Sequence, residues 1–185
     1  MRKLSIFNTV SIDGYFTDTR GDMSWAHKDD PEWNEWARQN ASGGGVLMFG
    51  RTTYQLMTKY WPTPLAAKNN PVIAKYMNER PKIVVSHSIE KPDWNNTTRI
   101  QGDLPAAVRQ LKQDSGDDIC ILGSGSLIAQ LAPEGLIDSY QIAVSPIVLG
   151  EGKTLFEGVK ERVGMKLTST RSFGNGNVLT CYEPA

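Results

Sequence analysis

Short apolar runs alternate along this chain with stretches whose apolar residues return every third or fourth position. "KLSIFNTV" (3–10) opens the pattern and predicts a first strand, rich in β-branched and aromatic residues. "SIDGYF" follows as a turn with Gly14 at its bend. "DDPEWNEWARQNA" (29–41) predicts a helix with Asp30 as N-cap, Pro31 in the first turn and acids early. Its Trp33, Trp36 and Ala37 share one face. "VLMF" (46–49) reads as a short buried strand running into a helix over "GRTTYQLMTKYW". "PVIAKYMNE" (71–79) predicts a third helix and "KIVVS" (82–86) a strand. The clearest helix is "DLPAAVRQLKQDSG" (103–116), capped by Asp103, striped by Leu104, Ala107, Val108 and Leu111, and stopped by Gly116.

"DICIL" (118–122) predicts another strand, followed by a glycine turn and a short helix ending near Gly135. Beyond it, "SYQIAVSPIVLG", "MKLTSTRSF" and "NVLTCYEP" read as three strands without a helix between them. Alternating strands and helices imply one α/β domain over 1–185, with a mostly parallel sheet covered on both faces. The last three segments are expected to add antiparallel strands at one edge. An edge strand at 139–146 would need cover, and a homodimer is the expected way to provide it.

Composition narrows the partners. Lysine plus arginine equals aspartate plus glutamate, 20 against 20, so no overall field draws nucleic acid or anionic membrane. No apolar run approaches the roughly 18 residues of a membrane span, and the start lacks the apolar core of a signal peptide. Cys120 and Cys181 are isolated and read as buried thiols in a reducing cytosol, so a cytoplasmic location is expected. Two histidines, His27 and His87, give a metal site little to build on, and no metal is expected.

The candidate chemistry sits where strands end. "VLMFGRTT", "KIVVSHS" and "CILGSGS" each run from a buried strand into small or hydroxylated residues. In an open parallel sheet those ends line the ligand crevice, and helix starts there favour an anion. Arg51 adds a guanidinium suited to phosphate, while Thr52, Thr53, Ser86 and Ser88 add hydroxyls without negative charge. Familiar motifs fail on spacing. Ile128 stands where a GxGxxG fingerprint needs its third glycine, and Ile147 where the P-loop reading of "GEGKT" needs its first. Ser124 is flanked by Leu122 and Ser126, which excludes the G-x-S-x-G elbow.

Taken in order, "NTVSIDGYF", "LMFGRTTYQ", "PKIVVS", "DICILGSGSLIAQLAPEGLID" and "IAVSPIVLGEGKTLF" resemble the dihydrofolate reductase-like family. The closer likeness is to its branch related to the reductase domain of riboflavin biosynthesis, over about residues 3 to 183. The resemblance implies a three-layer fold: an eight-stranded, mostly parallel sheet with an antiparallel C-terminal edge and helices on both faces. It also implies NADPH as hydride donor. By position, Gly50, Arg51, Thr52 and Thr53 would cradle the pyrophosphate. Arg51, Ser86, His87 and Ser88 would face the adenosine ribose and its 2′-phosphate. Gly123, Ser124, Gly125, Ser126, Leu127 and Ile128 would pack under the nicotinamide half, with Thr9, Val10 and Phe16 bordering the ring.

The implied reaction is hydride transfer to a small heterocyclic or sugar-linked substrate resembling a riboflavin precursor or a pterin. The chain departs from the folate enzymes at Asn34, which stands where they place a lone carboxylate; Glu32 and Glu35 lie nearby. Asp13, Glu32, Glu35 or a bound water is left to relay the proton. Trp25, Trp33 and Trp36 are candidates to wall the substrate cavity. No zinc deaminase motif of the H-x-E…P-C-x-x-C kind is present. The competing reading is a non-catalytic NADP(H)-binding or sensor protein on the same fold.

Overall fold

Gly and Pro punctuation, helix caps and two periodicities resolve into ten strands and six α-helices in the computed structural model, which describes residues 1–185. In chain order the first half comprises β1 (Leu4–Ser11), β2 (Tyr15–Thr17), α1 (Pro31–Ser42), β3 (Val46–Gly50), α2 (Arg51–Tyr60), α3 (Pro64–Asn69), α4 (Pro71–Glu79) and β4 (Lys82–Val85). The second half comprises β5 (Thr97–Ile100), α5 (Leu104–Gln113), β6 (Ile119–Leu122), α6 (Gly125–Leu131), β7 (Ser139–Ser145), β8 (Lys153–Thr154), β9 (Met165–Ser172) and β10 (Val178–Pro184). The helix starts follow the capping rules. Asp30 accepts from the Trp33 amide and Asp103 from the Ala106 amide, each with proline in the first turn. No helix is long and apolar enough to cross a membrane.

The main sheet has eight strands in the order β5-β4-β3-β6-β1-β7-β10-β9. Only β10 runs against its neighbours, pairing antiparallel with both β7 and β9. The expected mostly parallel sheet with an antiparallel C-terminal edge is therefore present. One part of the expectation is corrected. The segment at 139–146 is not an edge strand: β7 lies between β1 and β10 and pairs parallel with β1 from Ser5↔Ser139 to Ser11↔Ser145. The crossover through α6 returns the chain to the end of the sheet where β1 began, so parallel entry follows. The C-terminal edge strand is β9 instead.

Four elements lacked a usable signal. β5, "TTRI", is polar because it closes the other edge of the sheet, and its ladder with β4 makes it a strand. The short helix α3 starts at Pro64 under a Thr63 cap, and β2 pairs with β8 as a separate two-stranded ribbon.

Strand alternation divides the core into two faces. Leu4, Ile6, Val10, Met48, Ile119 and Ile121 pack against Leu104 and Val108 of α5 and Leu127, Ile128 and Leu131 of α6. Several of these side chains are fully buried, each contributing about 1.5–3 kcal/mol of apolar burial. On the other face Leu47, Phe49 and Val84 meet Tyr54, Met77 and Trp94. Further along that face, Ala143 and Leu179 meet Phe173, Phe7, Trp33 and Trp36. Cys120 and Cys181 are both free and partly exposed, and burial pushes the Cys120 thiol above its ordinary range. Cys120 lies on the second face of its strand beside Ile121, whose side chain takes the first.

Candidate functional site

Strands β3 and β6 are neighbours, yet their chains leave in opposite directions. After β3 the chain crosses outward to β4 by way of α2, and after β6 it crosses β1 to reach β7 by way of α6. The two helices lie on opposite faces of the sheet. Such a divergence opens a crevice beyond the C-terminal ends of the strands. Gly50 and Gly123 flank it, with Ser86 one strand further out beyond the Gly50↔Val85 pair.

Ser124 ties the two sides together. Its hydroxyl accepts from the Gly50 amide at 2.6 Å and donates to Thr53 Oγ1 at 3.1 Å. The residue is buried and sits in the left-handed region at φ 61, one of two non-glycine residues with positive φ. That conformation aims the hydroxyl across the crevice, so it caps nothing in α6. The surrounding glycines are bare because neighbours press on them. A Cβ at Gly50 would sit 2.9 Å from Ser124 Oγ, and at Gly123 2.8 Å from Thr53 Oγ1. At Gly125 it would sit 2.9 Å from the Leu155 carbonyl oxygen. These glycines let two turns and the Leu155 segment close on one another, which is also what leaves main chain at the crevice floor.

The start of α2 is open. Gly50 provides no side-chain cap, and the first turn holds no acid. Arg51 is exposed and reaches only the neutral Gln55, at 3.3 Å, forming no ion pair. Beside it, buried Ser86 folds the chain into a tight turn, accepting from the Ser88 amide at 3.2 Å and the Ile89 amide at 3.0 Å. His87 and Ser88 are exposed on that turn. Arg99 of β5, which sequence reasoning missed, braces it from behind. Its Nε donates to the Ser86 carbonyl at 3.0 Å and an Nη2 to the His87 carbonyl at 3.1 Å, with Gln101 also in contact. No carboxylate pairs with this second guanidinium either. Only the unrecognised strand β5 places it there.

At the β1 end the named residues divide by face. Val10, Leu127 and Ile128 send their side chains into the core, so only their main chain is available to a ligand. Thr9 is half-buried on the α1 side, and Phe16 packs 3.7 Å from the position a Gly125 Cβ would take. Asn8 adds an unforeseen group. One position beyond the Phe7↔Leu122 pair, it lies beside Gly123, is 4% exposed, and leaves its Nδ2 without a hydrogen-bond partner. The signal was there to read: a lone amide inside an apolar strand.

The three candidate acids are not brought together. Asp13 accepts from the Leu149 amide at 3.1 Å and the Gly150 amide at 2.7 Å, tying the β1–β2 turn to the loop after β7. The Ser11 hydroxyl and those amides hold its carboxyl below the usual range. Glu35 is bound by Arg38 at 2.6 Å and by Gln39, and these neighbours likewise lower it. Glu32 pairs with Arg171 of β9 at 2.6 Å. Asn34 donates to Asp29 at 2.6 Å. Trp33 and Trp36 form an aromatic wall with Phe7 and Phe173, ring centroids 4.9–6.0 Å apart, whereas Trp25 lies apart, bonded to the Asp22 carbonyl.

Comparison with known proteins agrees with this architecture. The RibD C-terminal domain matches residues 2–179. "Uncharacterized protein YyaP" of Bacillus subtilis (strain 168) is 29% identical over 183 residues, 98% of this chain and 95% of that one. Among solved structures, a Thermotoga maritima protein is described as a diaminohydroxyphosphoribosylaminopyrimidine deaminase/5-amino-6-(5-phosphoribosylamino)uracil reductase. It superposes with TM-score 0.70 at 15% identity, covering all of this chain and 57% of that one. Dihydrofolate reductase from Enterococcus faecalis, complexed with NADP(H) and RAB-propyl, gives TM-score 0.66 at 13% identity, covering 98% and 96%.

Proposed function

Because the chain belongs to the RibD C-terminal domain family, we propose that it is an NADPH-dependent reductase of a small heterocyclic or sugar-linked compound, of the riboflavin-precursor or pterin kind. The observation that carries this reading is the open start of α2 at the β3/β6 divergence, with Arg51 uncommitted to any acid. Two similar structures support it: one is described as a uracil reductase and another is complexed with NADP(H).

The residues fit the cofactor. Its pyrophosphate needs unpaired N–H groups and no competing negative charge, and the α2 start, without a side-chain cap or an acid in its first turn, suits both needs. Gly50, Arg51, Thr52 and Thr53 would hold that group. Arg51 would reach the 2′-phosphate together with Ser86, His87 and Ser88, on a turn that Arg99 holds in shape. The main chain of residues 123–128, with Thr9, Val10 and Phe16, would border the nicotinamide. The unpaired Asn8 amide gives this region a buried donor. When bound, NADPH supplies a hydride; the protein's part is to orient donor and acceptor and exclude water.

Proton delivery falls to Asp13, Glu32, Glu35 or a bound water, each of the three carboxylates being held by a protein partner. Asp13 is the poorest donor, because its partners favour the carboxylate. Glu35 is tied to its own helix. Glu32 has a partner, Arg171, that stacks on Phe173 at 4.8 Å and so leads back to the aromatic wall. The commitment of all three carboxylates to protein partners favours a second reading, a non-catalytic NADP(H)-binding protein.

The test has two arms. Calorimetric or fluorescence titration of the wild type with NADPH and NADH is followed by the same titration of Arg51→Ala, which should weaken NADPH more than NADH. Equal losses would move Arg51 from the 2′-phosphate to the pyrophosphate, and no binding of either nucleotide overturns the proposal. Steady NADPH oxidation with any of a panel of pterins, flavin precursors or quinonoid compounds then excludes the non-catalytic reading.

A further inference from the structure

The hydrogen bonds at the crevice floor have a fixed polarity. A backbone amide can only donate, so Ser124 Oγ accepts from Gly50 at 2.6 Å. The serine hydrogen then needs an acceptor of its own, because the residue is only 7% exposed. Thr53 Oγ1, at 3.1 Å, is the one acceptor it meets. Were Thr53 to donate instead, the serine hydrogen would be buried and unpaired, a larger penalty than turning the half-buried threonine hydroxyl outward. Thr53 therefore accepts from Ser124. Its own hydrogen points away from the pair, and no acceptor of the chain takes it.

Local chemistry and packing hold this arrangement. In a capping box the side chain at the third helical position turns back to the amide of the cap. Gly50 is the cap of α2 and Thr53 is that third position. Ser124, from beyond the end of β6, has taken the amide in its place, which frees the Thr53 side chain. Gly123 keeps the freed side chain where it is. A Cβ on Gly123 would lie 2.8 Å from Thr53 Oγ1 and 3.0 Å from its Cγ2, so hydroxyl and methyl both rest on bare main chain. Ser124 itself bears a left-handed backbone at φ 61. A glycine would hold that backbone without strain, so what the serine adds is its hydroxyl.

From this we propose that Ser124 is a positioning residue: it fixes the Thr53 hydroxyl as a donor, and so sets the start of α2 for a group that only accepts, a phosphate oxygen. The inference rests on the NADPH reading above and names the side chain that prepares the crevice for the pyrophosphate. The neighbouring groups agree in sign. The amides of the first turn of α2 have no side-chain cap and no acid stands among them, while Arg51 carries no carboxylate partner. A hydroxyl free to rotate can accept as well as donate, and so tolerates a ligand hydroxyl or amide. The bond from Ser124 removes that freedom. Discrimination against an uncharged ligand thus follows from a hydroxyl that is itself bonded only to protein. The donor is also ordered before the anion arrives, which removes an entropic penalty from binding.

The experiment is a double-mutant cycle read in NADPH affinity, by fluorescence or calorimetric titration. Ser124→Ala and Ser124→Gly are each made on the wild-type and on the Thr53→Val background, with Thr53→Ser as companion. Circular dichroism at the titration temperature confirms folding, and Ser124→Gly, relieved of backbone strain, serves if the alanine variant unfolds. Thr53→Val should weaken NADPH about ten- to a hundredfold, the effect of one hydrogen bond to a charged acceptor. Thr53→Ser should restore most of that loss. Both Ser124 variants should weaken NADPH about three- to tenfold beside threonine and by about twofold at most beside valine. A serine that only holds the two turns together would give the same loss on either background. Additive losses, unchanged affinity in both Ser124 variants, or a Thr53→Ser protein as weak as Thr53→Val would each overturn the proposal while leaving NADPH binding by the wild type intact. A wild type that binds no NADPH overturns this proposal and the reading beneath it together.

Discussion

Removing the Ser124 hydroxyl tests the bridge between the two turns of the crevice. In Ser124→Ala the Gly50 amide loses the acceptor at 2.6 Å in a buried position, and Thr53 loses a partner at 3.1 Å. Leaving such a donor unpaired costs about 1–3 kcal/mol. The alanine keeps the left-handed backbone of position 124, whose strain of about 1–2 kcal/mol the serine already bears, so that strain adds nothing to the difference. Ser124→Gly loses the same hydrogen bonds but relieves the backbone, at an entropic cost of about 0.5–1 kcal/mol. The alanine variant should therefore be destabilised by about 1–3 kcal/mol, and the glycine variant, which relieves the strain, by about 1 kcal/mol less. Urea unfolding at unchanged m reads both as shifts of midpoint. A double-mutant cycle with Thr53→Val should return a coupling of about 1 kcal/mol, because the two side chains share one hydrogen bond. An alanine variant as stable as wild type, or a glycine variant less stable than the alanine, would refute this account of the turn.

Lys82 offers a test at the far end of β4. It is 1% exposed, donates to the Asn78 and Arg80 carbonyls at 3.0 and 2.6 Å, and lies 4.7 Å from the Trp94 ring, with no carboxylate to pair it. Desolvation lowers it from 10.5 to about 8. Between those values the unfolded chain binds a proton that the folded chain has released, so stability should rise with pH across that window by up to about 3 kcal/mol. Thermal unfolding of wild type and Lys82→Met from pH 7 to 10.5 checks it; a rise of the same size in the methionine variant would assign it to another group. Arg99→Met should weaken NADPH by about tenfold, because the turn at Ser86 and His87 loses its brace, while Arg99→Lys should recover only part of that loss, lacking the fork that reaches two carbonyls. Full recovery by lysine would reduce the role of Arg99 to charge alone.

Much of the fold was legible because it is encoded locally. Asp30 and Asp103 announce helices by capping chemistry, and "VLMF" and "CIL" announce buried strands by lacking polar positions. What was misread depends on partners remote in sequence. "TTRI" has no apolar face to give it away, and only its ladder with β4 makes it a strand. That omission hid Arg99, whose guanidinium reaches Ser86 from thirteen residues away. The segment at 139–146 carried a correct strand pattern, but whether it lay at an edge or inside the sheet was settled by the α6 crossover.

By itself the sequence determined where chain direction and burial change, and that bare or hydroxylated residues gather at three strand ends, since propensity, capping and periodicity act over a few neighbouring residues. Only the tertiary structure decided that those ends lie side by side at a divergence of the sheet, that Ser124 turns away from its own helix to hold Gly50, and that the candidate acids already have partners. These outcomes rest on strand order and register, which arise from long-range packing that no short stretch of the chain contains.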